Sequence, residues 1–192
     1  MATAPVLGTD TLSAIAEQLA NRLTEAGQLA LDAGKPMEIG ESFPIWVIGL
    51  APAADAGLAF RSATATGYWH HQIRHAGEAT EFAKSRPLGP GPRDWMVEEI
   101  VTSRIAERVD AAITVLDREV PGDEQVRMLV IPAYFVHAFW IGSGTKTRLL
   151  LIDKPEYLAG LEYGQVYNFD EFLQRLSQQP HVVGIPPERR PQ

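Results

Sequence analysis

Residues 134–141 read YFVHAFWI, and both alternating sets of this run are mainly apolar. Successive side chains of a strand point to opposite faces of a sheet. A strand of this composition must therefore be covered on both sides rather than half exposed. The segment fixes a sheet with further layers packed on it, and the rest of the chain has to supply those layers.

Helical spacing recurs in three places. From Asp10 to Ala33, Leu12, Ile15, Leu19, Leu23 and Leu29 mark an amphipathic helix with Thr9 or Asp10 as its cap and a stop at Gly34 and Pro36. The stripe Val97, Ile100, Val101, Ile105, Val109, Ala112, Ile113, Leu116 and Val120 predicts one long helix capped by Asp94 and ended by Pro121-Gly122. Near the end, FDEFLQRLSQQ places Phe169, Phe172, Leu173 and Leu176 on one side of a short helix.

Strands fill the intervals. The apolar run Ile45 to Leu50 lies between Pro44 and Pro52, short and β-branched enough for a buried strand. A further strand is expected near residues 58–65. QVRMLVIPAYFVHAFWIGSGTKTRLLLID reads as strands on either side of a Gly-Ser-Gly-Thr turn, with Pro132 at a bulge or break because it cannot donate to a ladder. Residues 86–94, with three prolines and two glycines, form a loop. Because strands come in hairpin-like runs and do not alternate with helices, the expected class is α+β. The predicted architecture is an antiparallel or mixed sheet built from hairpins against a long central helix, with N- and C-terminal helices. Residues 1–180 are read as one domain and 181–192 as a flexible proline-rich tail. At 192 residues, 45% of them apolar, the chain can bury a substantial core without a metal or disulfide staple.

Several functions drop out. A net charge of −7 with no clustered basic patch argues against a nucleic-acid partner. The absence of cysteine removes disulfides, thiolate zinc sites, iron–sulfur clusters and cysteine nucleophiles. The start of the chain lacks the basic and apolar regions of a secretory signal, and no apolar stretch is long enough for a spanning helix. A cytoplasmic protein without a membrane partner is the expectation, and arginine outnumbering lysine with abundant Ala, Gly and Pro hints at a bacterial source.

The strongest claim to chemistry is GYWHHQIRHAGEATEFAKS, residues 67–85, with His70, His71 and His75. On a helix, His71 and His75 would lie one turn apart with Glu78 nearly on the same face, a three-ligand metal set. On a hairpin the set is dispersed, because His71 and His75 would stand roughly 13 Å apart along the strand. Periodicity favours the hairpin. Trp69, His71, Ile73, Thr80 and Phe82 would share one face and His70, Gln72, Arg74 and Glu81 the other, across an Ala76-Gly77 turn. In that register Glu78 faces His75 and Arg74 lies diagonal to Glu81. Packed, hydrogen-bonded histidines are then the simpler account, and a surface that loosens near pH 6 to 7 a further one.

Other motifs fail on spacing. Gly142-Ser-Gly-Thr-Lys-Thr147 lacks the glycine before lysine that a phosphate loop needs, and Gly142-Ser143-Gly144 is not a nucleophile elbow. His137 reads as a core histidine, or as the lining of a pocket with Tyr134 and Trp140. Asp153, Glu156, Glu162, Asp170 and Glu171 read as solvated surface and helix-start charges.

Two functional expectations result. The first is a non-catalytic, protein-binding or self-assembling module, resting on the failure of every catalytic spacing and on aromatic-rich strands as a contact surface, with Trp69, Phe82, Tyr134 and Trp140 as interaction residues and no cofactor. The second is a small-molecule-binding or metal-dependent enzyme at the hairpin, with His70, His71 or His75 as acid–base groups or ligands and Glu78 or Glu81 orienting them.

Overall fold

The computed structural model describes residues 6–25, 37–49, 63–120, 122, 124–143 and 147–179. The expected helix end at Gly34 and Pro36, the Gly-Ser-Gly-Thr turn beyond Ser143 and the tail 181–192 lie outside these residues. The described chain runs α1 (Thr9–Glu25), β1 (Met37–Ile48), β2 (Ala63–His75), β3 (Glu78–Pro87), β4 (Trp95–Thr102), α2 (Arg104–Glu119), β5 (Val126–Ile131), β6 (Val136–Ile141), β7 (Arg148–Asp153), β8 (Val166–Asn168) and α3 (Phe169–Ser177). The fold is α+β. Its eight strands form one sheet in the order β4-β3-β2-β1-β5-β6-β7-β8. Every neighbouring pair is antiparallel except β1 and β5, which are parallel. Two four-stranded meanders thus run outward from a central parallel seam.

The two faces are covered by different helices, and the strand alternation shows which. Phe139 and Ile141 of β6 and Leu150 and Ile152 of β7 pack with Val109, Ala112, Ile113 and Leu116 of α2. Their neighbours Ala138, Trp140, Leu149 and Leu151 pack with Phe169, Phe172, Leu173 and Leu176 of α3. The β6 strand is therefore covered on both sides, as its composition requires. α1 sits on the face opposite α2, where Ile15 and Leu19 meet Ile73, Ala83 and Val97. Its polar side reaches β4: Gln18 donates to Trp95 O (2.7 Å) and accepts from Val97 N (3.0 Å), and Arg22 donates to Glu98 O (3.1 Å).

Four expectations need correction. The long helix from Asp94 is a strand followed by a shorter helix. Residues 95–102 are β4, and α2 starts after Ser103, whose side chain accepts from Ile105 N. Val97, Ile100, Val101 and Thr102 are β-branched residues that suit a strand, and Ser103 is the helix cap. Asp94 instead closes the preceding loop by accepting from Gly91 N (3.0 Å). β1 is longer than the run read from Ile45 and passes through Pro44, where the register with β2 shifts between Pro44 and Trp46, a setting that tolerates the missing donor. Pro132 lies at a break between two strands, as expected, but the break is a 3-10 turn, Pro132–Tyr134, so Tyr134 precedes the strand that it was assigned to. Finally, the β2–β3 hairpin turns at Ala76-Gly77 with both φ angles positive (55° and 85°), as a type I′ turn requires. His75 faces Glu78 as expected, but a bulge after Ala79 pairs Ile73 with Glu81 and Gln72 with Phe82. One extra residue exchanges the faces of everything beyond it.

Candidate functional site

Alternation along β2 sorts the histidines, and the bulge in β3 decides which side chains meet them. His71 points to the α1 side, where its ring nitrogens bond Ser42 Oγ (2.8 Å) and Ser85 Oγ (2.6 Å). A serine beside an imidazole resembles a nucleophile and its base, yet both His71 and Ser85 are 0% exposed, so substrate has no access. Burial lowers the His71 pKa to about 4, and the group is a neutral structural cross-brace between β1, β2 and β3. His75 bonds Glu81 (3.2 Å), which also accepts from Thr102 Oγ1 (3.0 Å). Arg74, expected near Glu81, lies on the other face and pairs with Glu41 and Asp110. His70, His71 and His75 do not converge. Among the described residues no three His, Asp or Glu side chains come together as a metal set.

His70 faces the α2 side, stacked on Phe82 with ring centroids 4.6 Å apart. Its Nε2 lies 3.1 Å from Gln72 Oε1, and Gln72 Nε2 donates to Ala106 O in the first turn of α2. Since the amide nitrogen is committed to a carbonyl, the oxygen faces the ring. His70 Nε2 therefore carries the proton and Nδ1 keeps a lone pair. Burial is the main cause lowering its pKa to about 3.

Beside this pair lies a cleft of about 510 Å³ on the part of the α2 face that the helix leaves open. Its apolar wall comes from Ile45 and Val47 of β1, Met128 and Val130 of β5, Val101 of β4 and Ile105 of α2. Its polar side holds Tyr68, His70, Lys84, Glu98, Glu99 and His137. The cleft spans the parallel seam between the two meanders, so residues far apart in sequence meet there.

The charges at the cleft are already matched. Lys84 Nζ is 2.8 Å from Glu99, and Arg86 donates to Glu98. Hydrogen bonds from Tyr68 and then Arg86 hold the Glu98 carboxyl below its ordinary pKa. His137 is different. Its Nδ1 is buried without a hydrogen-bond partner among the described residues. Burial holds its pKa low, with Asp153 opposing and Lys84 adding to the effect. Asp153 itself is paired with Arg108 of α2.

The aromatic residues read as interaction surface are placed mostly inside. Phe82, Tyr134 and Trp140 are buried in this chain. Trp69 is half-buried against Trp95 (6.0 Å). Strands β2, β3 and β6 are internal to the sheet, which leaves β4 and β8 at its borders. Sequence reasoning named His70 and His137 singly, but missed Lys84, Val47, Val130 and Ile105 as parts of one cavity, since no spacing along the chain links them. Comparison with known proteins finds no family model, no curated protein and no solved structure that matches this chain.

Proposed function

We propose that the protein is a non-catalytic binder of a small amphipathic molecule, held in the cleft between α2 and the central strands. The carrying observation is the cleft's construction: a continuous aliphatic wall facing the imidazoles of His70 and His137 and charges that are already paired, Lys84 with Glu99 and Glu98 with Arg86. Cavities of roughly 300–1,000 Å³ with an apolar lining and few polar groups are the usual form of small-molecule sites. The Ser85–His71 pair, which could suggest acyl transfer, lies on the other face and is completely buried.

The test is ligand-detected NMR with a set of mono- and bicyclic aromatic fragments bearing neutral, acidic or basic head groups. Val47→Trp fills the cavity from the β1 side. Fragments that bind the native protein and are lost from V47W, with the circular dichroism spectrum unchanged, support the proposal. No hits at all, or hits indifferent to V47W, refute it.

A second reading, a module that binds a protein partner, is favoured by one observation. Phe135 is 57% exposed and sits at φ 52°, a strained conformation for a bulky residue that displays its ring to solvent. Loss of a captured partner in Phe135→Ser, with the V47W protein still capturing it, would favour this reading over the first.

A further inference from the structure

The polar groups at the cleft differ in whether they are free to take a new partner. Lys84 is paired with Glu99 and Glu98 with Arg86, and the Tyr68 hydroxyl is bonded to Glu98. A head group carrying charge of either sign would have to displace one of these partners, or sit uncompensated against the aliphatic wall. His70 is free at one atom. The residue is 1% exposed and its Nδ1 has no hydrogen-bond partner among the described residues, yet that atom is not sealed as Nδ1 of His75 and of His137 is. It opens on the cleft that His70 lines.

We propose that the cleft selects an uncharged ring compound bearing a hydroxyl, which donates its proton to His70 Nδ1 while the rings lie along Ile45, Val47, Met128 and Val130. This rests on the reading of the cleft as a small-molecule site. A buried relay fixes the acceptor. Gln72, 0% exposed, gives an amide N–H to Ala106 O, so its oxygen faces His70 and holds the ring proton on Nε2. Turning the amide over would set its oxygen against the Ala106 carbonyl, with neither able to donate. Nδ1 is thereby kept as a lone pair, and burial disfavours a second proton on the ring. A ligand that displaces water from Nδ1 without replacing the donor leaves a buried acceptor unsatisfied. His137 lines the same cleft, and its Nε2 is engaged by no described residue. A hydroxyl can accept there as well as donate to His70, which an N–H group cannot. A cavity of about 150 Å³ holds one benzene ring, so about 510 Å³ leaves room for two or three fused rings.

The experiment is an NMR titration with five probes that share one ring system. 2-Naphthol donates and accepts, 2-methoxynaphthalene accepts only, 2-fluoronaphthalene is the size control without a donor, and 2-naphthoate and 2-naphthylmethylamine carry charge. At about pH 7 a phenolic hydroxyl is un-ionised. The proposal expects naphthol to bind about three- to tenfold more tightly than the methoxy and fluoro compounds, the usual weight of one neutral hydrogen bond, and the two charged probes to bind more weakly than naphthol. The 15N resonance of His70 Nδ1 should start in the unprotonated range and move toward the protonated range with naphthol alone. Equal affinity of naphthol and 2-fluoronaphthalene, or tighter binding of either charged probe, overturns the hydroxyl proposal and leaves the small-molecule reading standing. A naphthol preference without the shift at His70 Nδ1 overturns it as well. If none of the five binds, or all bind V47W as they bind the native protein, both readings fall.

Discussion

Acid should destabilise this protein well before its carboxylates titrate. His70 and His71 are almost completely buried, and burial sets their pKa values at about 3 and about 4. In the unfolded chain both titrate near 6.5. Between those limits the unfolded state binds more protons than the folded one, so stability present above pH 6.5 is lost as pH falls. At pH 5 each ring costs about 2 kcal/mol and the two together about 4 kcal/mol. The figure depends little on where the folded values lie, since both are below pH 5. His137, also held low by burial, steepens the same loss. Unfolded Asp and Glu titrate near 4, so the interval from pH 7.5 to 5 isolates the histidines. A net stability of about 5–15 kcal/mol is usual for a domain, and 4 kcal/mol would move a urea midpoint by more than about 1 M. Urea titrations at several pH values measure the loss, and ring 15N shifts assign it. A midpoint unchanged from pH 7.5 to 5, or an imidazolium signal for His70 or His71 in the folded protein at pH 6, would refute the reasoning.

Three substitutions probe other parts of the argument. Gln72→Leu leaves the His70 Nε2–H and Ala106 O without their partner and should cost about 2–4 kcal/mol; a loss under about 1 kcal/mol in urea denaturation would mean that the two groups find other partners. Ala76→Asn suits the positive φ of the hairpin turn and should stabilise by about 0.5 kcal/mol, read as a raised thermal midpoint. Phe135→Gly removes the cost of a left-handed conformation at an exposed site and should raise stability by about 0.5–1 kcal/mol; a fall would show that the ring packs usefully where it is.

The extended character of residues 67–85 was legible because Gly77 interrupts an alternating pattern that no helix explains. The faces were not, because a bulge at Thr80 leaves no mark in composition yet moves Phe82 beside His70 and Glu81 beside His75. The stretch 95–120 misled for a different reason. Val97, Ile100 and Val101 fit the helical stripe of the residues that follow, and only Ser103 after a β-branched run marks the change. The parallel seam, and with it the cleft, depends on β1 meeting β5 across about eighty residues. Local periodicity carries no information about which distant strands become neighbours.

The side chains that α1 spends on Trp95, Val97 and Glu98 have a bearing on how the molecule behaves in a crowd. A strand at the rim of a sheet ordinarily offers its free amides and carbonyls as a template on which another chain can add, the first step toward fibrils. Gln18 and Arg22 answer three of those groups from a helix, and at the opposite rim β8 is only three residues long. Both flanks are thereby poor seeds, and on β4 the carboxylates of Glu98 and Glu99 add charge to that protection.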